Sequence, residues 1–134
     1  MRCFLDTNIL ISAGLFPNSV PAKALAKALS PPHTAIICDY SLDEMHRVIH
    51  AKFPDRIADM ELFLYRLMFT VNLVQTPVDA LDIEFEIRDV DDRPLLRAAI
   101  HAGADVIITG DKDFLESSVT EPCIMTAAQF LDLA

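Results

Sequence analysis

Residues 88–115 read RDVDDRPLLRAAIHAGADVIITGDKDFL. Pro94 to His101 has the apolar spacing of a helix, with Asp92 at the N-cap position and Gly103 as a stop. Val106 to Thr109 is a short apolar run that reads as a buried strand, closed by the turn Gly110–Asp111. The stretch is therefore a helix–strand unit with acids at both its entry and its exit. The same signature opens the chain, where Arg2–Cys3–Phe4–Leu5 runs into Asp6. Outward from these two points, Ala35–Cys38, Val71–Val74 and Ile124–Met125 read as further strands. Helical patterns fall between them. Asn8–Ala13 is broken by Gly14 and Pro17, and Pro21–Leu29 is stopped by Pro31–Pro32. Ser41–Phe53 opens on a Ser41/Glu44 capping box, and Thr126–Leu133 on a Thr126/Gln129 box. Arg56–Phe69 carries an apolar stripe, whereas Thr76–Asp89 is acidic and without clear periodicity. Strands alternating with helices predict an α/β domain, a mostly parallel sheet covered on both faces, occupying residues 1–134 as one unit.

The chain has 11 Lys and Arg against 20 Asp and Glu, a formal net charge of −9. Residues 1–75 are balanced, and the whole excess of acid lies from Thr76 onward. Such a balance disfavours binding nucleic acid through a basic surface. It is compatible with a metal-dependent nuclease, whose carboxylates are themselves acidic. Cys3, Cys38 and Cys123 form no paired motif, and Asp6 and Asn8 interrupt the first apolar stretch. We expect a reducing, cytoplasmic setting without a leader or a membrane span.

Parallel sheets gather function at the carboxyl ends of their strands. Asp6 follows the first strand, Asp111 and Asp113 follow the fourth, Asp92 opens the helix before it, and Glu44 follows the second. Carboxylates brought together raise one another's pKa, and a divalent cation relieves that repulsion. Oxygen-only ligands suit Mg²⁺ or Mn²⁺, which activate water and offset charge on a phosphodiester. Each acid also has a plainer use. Glu44 fits the capping box, Asp92 a helix cap, and Asp111 and Asp113 a turn. Asp6 is harder to explain that way, because burying an unpaired charge after an apolar strand is costly. Chemistry alone does not separate Asp91 from Asp92; the helix-start position favours Asp92.

FLDTNILISA at 4–13, SLDEMHRVI at 41–49, the 88–115 stretch and IMTAAQFL at 124–131 together resemble a PIN domain, closest to bacterial toxins of the VapC type. The resemblance runs nearly end to end. It implies a three-layer α/β/α sandwich and a Mg²⁺- or Mn²⁺-dependent endoribonuclease cutting single-stranded RNA. It places catalytic acids at Asp6, Glu44, Asp92 and Asp111, with Asp6, Asp92, Asp111 and Asp113 toward the metal and Asn8 and Thr109 in support. It also implies a homodimer and a cognate antitoxin covering the cleft.

Arg47, Arg93, Arg97 and Lys112 flank these acids and are candidate contacts to RNA phosphates, or simple counter-charges. His46 and His50 share a helix face, but a zinc site would need further ligands. Leu62, Phe63, Met68 and Phe69 read as core, with a dimer contact as the other use. Two alternatives stand beside the nuclease. One is a catalytically weak PIN scaffold that binds RNA or protein. The other is a haloacid-dehalogenase-like phosphatase, disfavoured because Asn8 stands where that family needs a second aspartate.

Overall fold

Five short runs of apolar residues in the computed structural model, which describes residues 1–134, form one all-parallel sheet. They are β1 (Arg2–Leu5), β2 (Thr34–Cys38), β3 (Asn72–Val74), β4 (Val106–Ile108) and β5 (Cys123–Met125), in the order β3-β2-β1-β4-β5. Strands buried on both faces need no polar alternation, which is why β1, β2 and β4 read as unbroken hydrophobic runs. Alternate side chains divide between two cores. Cys3, Leu5, Ala35, Ile37, Val106 and Ile108 pack on one face. That face is covered by α1 (Thr7–Leu15), α2 (Val20–Leu29), α3 (Asp39–Lys52), α4 (Ile57–Leu67) and α7 (Ala127–Asp132). Phe4, Ile36 and Ile107 pack on the other, under α5 (Arg93–His101) and α6 (Lys112–Leu115). The result is the three-layer α/β/α sandwich.

The chain leaves β1 toward β2 and β3 on one side and then crosses to β4 and β5 on the other. The order thus reverses between β1 and β4, the switch point at which open parallel sheets place a crevice at their carboxyl ends. Register fixes which residues meet there: Leu5 pairs with Ile108, so Asp6 and Thr109 emerge side by side.

Local departures from the sequence reading have identifiable causes. Gly14 does not break α1. It lies inside the helix, where a Cβ would come within 2.7 Å of the Met60 side chain and 3.0 Å of Phe63, so glycine allows α1 and α4 to approach. Helix α3 begins at Asp39, two residues ahead of Ser41, with Cys38 in the cap position and no side-chain cap bond. Ser41 is therefore buried within the first turn against Cys38, and the Ser41/Glu44 capping box does not form. The Asp39 carboxylate instead accepts hydrogen bonds from the N–H and hydroxyl of Thr76, at 2.8 and 2.7 Å, tying the end of β3 to α3. The Thr126/Gln129 box does form and starts α7.

Residues 76–92, unread in sequence, contain two 3-10 turns, Asp82–Glu86 and Val90–Asp92. The expected core group on α4 and the turn after it is corrected in part. Phe63 is half-buried and packs on the core, but Leu62, Met68 and Phe69 are exposed, with Tyr65 beside them, because α4 is an outer helix that buries mainly Met60 and Leu67. No single helix is long and apolar enough to cross a membrane.

Candidate active site at the carboxyl edge of the sheet

Asp6 ends β1 and caps α1, and only 3% of it is exposed. The Thr7 N–H donates to its Oδ1 at 2.7 Å and the Thr109 hydroxyl to its Oδ2 at 2.7 Å. Burial pushes the Asp6 pKa up to about 6; the two donors oppose this, and the charges of Glu44 and Asp111 add to it. The Thr109 hydroxyl accepts in turn from the Asp111 N–H at 3.0 Å, and Asp111 Oδ1 accepts from the Asp113 N–H at 2.8 Å. A chain of hydrogen bonds therefore runs from the cap of α6 back to β1. It fixes Asp6 and holds Asp111 beside Asp92.

Asp92 lies at the entry to α5 and is 8% exposed. Its backbone is helical, and its side chain makes no cap hydrogen bond. Its Oδ2 is buried without any partner. The use of Asp92 as a helix cap is thereby ruled out. Burial, then Asp111, Asp6 and Asp89, raise its pKa well above the usual carboxylate range. Asp91, the neighbour that chemistry had not separated, is exposed.

Asp89, at the end of the acidic 76–89 stretch, joins this group of acids. It caps the Val90–Asp92 turn by accepting from the Asp91 N–H at 3.0 Å. Ligand oxygens of Asp89, Asp92 and Asp113 lie within 4.8 Å of one another. Asp113 is also paired with Arg88 at 2.7 Å, which reaches Glu116 at 3.1 Å. Spacing along the chain gave no hint of Arg88, since its partners lie 25 and 28 residues away. Glu44 is half-buried on the second turn of α3, while Asp43 faces solvent. Free of the capping box, Glu44 contributes its charge to Asp6.

The flanking cations are less uniform than their sequence suggested. Arg47 and Lys112 are exposed. Arg97 is not a rim charge. It grips the buried Glu84 through two nitrogens at 3.0 and 2.8 Å and donates to the Pro77 carbonyl at 2.9 Å. Arg93 donates to the Ile87 carbonyl and lies over the Phe85 ring, 5.2 Å from its centroid. Asn8 is exposed in α1, and the hydrogen bonds that orient Asp6 come from Thr7 and Thr109 instead. The His46 and His50 rings are 6.4 Å apart, and His50 Nδ1 is engaged with the His46 carbonyl.

The carboxylates that meet at the crevice offer only oxygen, and one buried oxygen has no partner. That donor set fits a hard divalent cation such as Mg²⁺ or Mn²⁺ and does not fit zinc. Asp89, Asp92 and Asp113 bring ligand oxygens within 4.8 Å of one another, and Asp6 and Asp111 lie near enough for their charges to act on Asp92.

A family model described as a PIN domain matches residues 2–113. No curated protein matches the sequence. Among solved structures, VapBC2 from Rickettsia felis bound to a DNA fragment from its promoter is similar to this chain. It shares 15% identity at a TM-score of 0.71, with 94% of this chain and 98% of that one covered. VapC20 from Mycobacterium tuberculosis, a Sarcin-Ricin loop cleaving toxin, shares 16% identity at a TM-score of 0.62, with 89% and 97% covered.

Proposed function

This chain belongs to the PIN domain family, and from that premise we propose that it is a divalent-metal-dependent endoribonuclease of single-stranded RNA, acting in the cytoplasm as the toxin of a toxin–antitoxin pair. The observation that carries the reading is the buried Asp92 Oδ2, unpartnered beside Asp111 and Asp6 at the strand-order reversal. A stability-driven sequence would not retain such an atom, since an unsatisfied buried acceptor costs about 1–3 kcal/mol.

A bound Mg²⁺ or Mn²⁺ would supply Lewis acidity and lower the pKa of water. The chain's own residues do the rest. Thr7 and Thr109 hold both Asp6 oxygens, so the first carboxylate is oriented before any ligand arrives. The Asp113 N–H fixes Asp111 in the same way. Glu44, half-buried and close enough for its charge to act on Asp6, is placed to orient a water or take its proton. Asp89 adds negative charge at the rim, whereas Asp113 is balanced by Arg88.

The similarity to VapBC2, a structure of a toxin with its partner, supports an antitoxin here as well. A basic side chain on that antitoxin would compete for the acid cleft. The apolar exposed surface formed by Leu62 and Tyr65 on α4 and Phe69 just after it supports a homodimer. The deciding experiment is cleavage of a single-stranded RNA oligonucleotide by purified protein with Mn²⁺, with EDTA, and with Asp6→Asn. We expect cleavage that EDTA stops and Asp6→Asn loses. Wild-type rates from the variant would sink the assignment. Retained RNA or protein binding without cleavage would favour the scaffold reading.

A further inference from the structure

Beside the acid crevice lies a cleft of about 340 Å³, walled by Tyr40, Leu81, Phe85, Val90, Arg93 and Pro94. Its size falls in the range of clefts that take small ligands, about 300–1,000 Å³. Two of its walls adjoin acid-site residues along the chain. Tyr40 is one helical turn before Glu44 on α3, so both project from the same face. Arg93 directly follows Asp92 at the start of α5. A nucleotide whose phosphate lies against the acids therefore has its base within reach of this cleft.

Phe85 is the central feature. It is 73% exposed, yet its backbone is firmly held. It sits in the Asp82–Glu86 turn next to Glu84, whose buried carboxylate caps the turn at the Leu81 N–H and is gripped by Arg97. A large apolar side chain fixed outward by a buried ion pair is costly unless it meets something. Arg93 covers part of the ring and leaves the rest open. An aromatic ring with a guanidinium beside it is the usual platform for an unpaired base. The charged residues lining the cleft are Glu84 and Asp91 against Arg93 and Arg97, so it carries no excess positive charge to favour a phosphate over a base.

Resting on the nuclease reading above, we infer that the Phe85–Arg93–Tyr40 cleft is a subsite for one unpaired nucleobase next to the scissile phosphate. Phe85 is the stacking surface, Arg93 braces it, and Arg97 and Glu84 position it.

The test uses RNA oligonucleotides with 2-aminopurine at single positions, bound to full-length Asp6→Asn with Mg²⁺. We expect fluorescence quenching at one position flanking the cleavage site. Phe85→Ala in that background should abolish the quench and weaken binding about tenfold, the size of one lost stack. Phe85→Tyr should restore both. Unchanged quench and affinity in Phe85→Ala, with wild-type cleavage intact, would overturn the subsite and leave the nuclease standing. A Phe85-dependent quench on a protein that never cleaves RNA would keep the subsite and overturn the nuclease. Failure of the chain to bind any of the oligonucleotides would overturn both.

Discussion

Asp6 and Asp92 are held in a state that ordinary aspartates avoid, and this has a measurable consequence without any substrate. An unfolded aspartate titrates near about 3.9. Folded Asp6 is pushed up to about 6, first by burial. Well below pH 4 both states are protonated and there is no penalty. As pH rises from about 4 to about 6, the unfolded chain releases the proton while the folded site keeps it. Stability is therefore lost with rising pH across that window, by up to about 3 kcal/mol for this residue. Asp92, raised in the same direction, extends the loss to higher pH. Asp92→Asn should therefore raise the melting temperature of the metal-free protein at pH 8 by several degrees, about 3–5 °C per kcal/mol recovered. The same variant should lose most of the stabilisation that Mg²⁺ or Mn²⁺ gives the wild type. Thermal melts at pH 4 and pH 8, with and without metal, check both parts. A variant that melts lower than wild type at pH 8 would mean that Asp92 is structural.

At the scale of elements, the segment between β3 and α5 is the most informative. Its sequence has no period because its shape is set by distant partners. Arg97 on α5 holds Glu84 and the Pro77 carbonyl, Arg88 reaches Asp113, and Ser118 bonds Glu86. None of these contacts leaves a local pattern, so Glu84, Arg88 and Asp89 were not legible as fixed points. The strands and the acids at their ends were legible, because burial on both faces forces apolar runs and a charge after such a run is conspicuous. The two capping boxes mark the boundary. Thr126/Gln129 caps α7, whereas Ser41/Glu44 has the same spacing but lies inside α3, where burial of Ser41 against Cys38 overrides the motif. The Arg97–Glu84 pair carries the prediction at this scale. Arg97→Met strands a buried carboxylate and should cost about 3–5 kcal/mol. The loss should be local as well as global, with residues 76–92 cut first by limited proteolysis. Protection of that segment equal to wild type would show that something other than the ion pair holds it.

For the whole molecule, the net charge of −9 bears on the proposed cleavage of RNA. Of the four cations first considered for phosphate contact, Arg97 is buried in an ion pair and Arg93 is committed to Ile87 and Phe85. Arg47 and Lys112 remain exposed near the acids. Each phosphate neutralised on a single strand contributes about −0.7 to the slope of log affinity against log salt. Two such contacts give a slope of about −1.4, shallow for a nucleic-acid enzyme. On the nuclease reading, attraction would come instead from a bound divalent ion, which would locally reverse the sign of the crevice. We therefore expect log kcat/KM, measured at saturating Mn²⁺ across a series of KCl concentrations, to fall with a slope between about −1 and −2. Arg47→Ala combined with Lys112→Ala should flatten it nearly to zero, while the dependence on Mn²⁺ concentration stays. A slope steeper than about −4 would require more phosphate contacts than this face can provide, and so a second basic surface, such as that of a bound partner, at the site of cleavage.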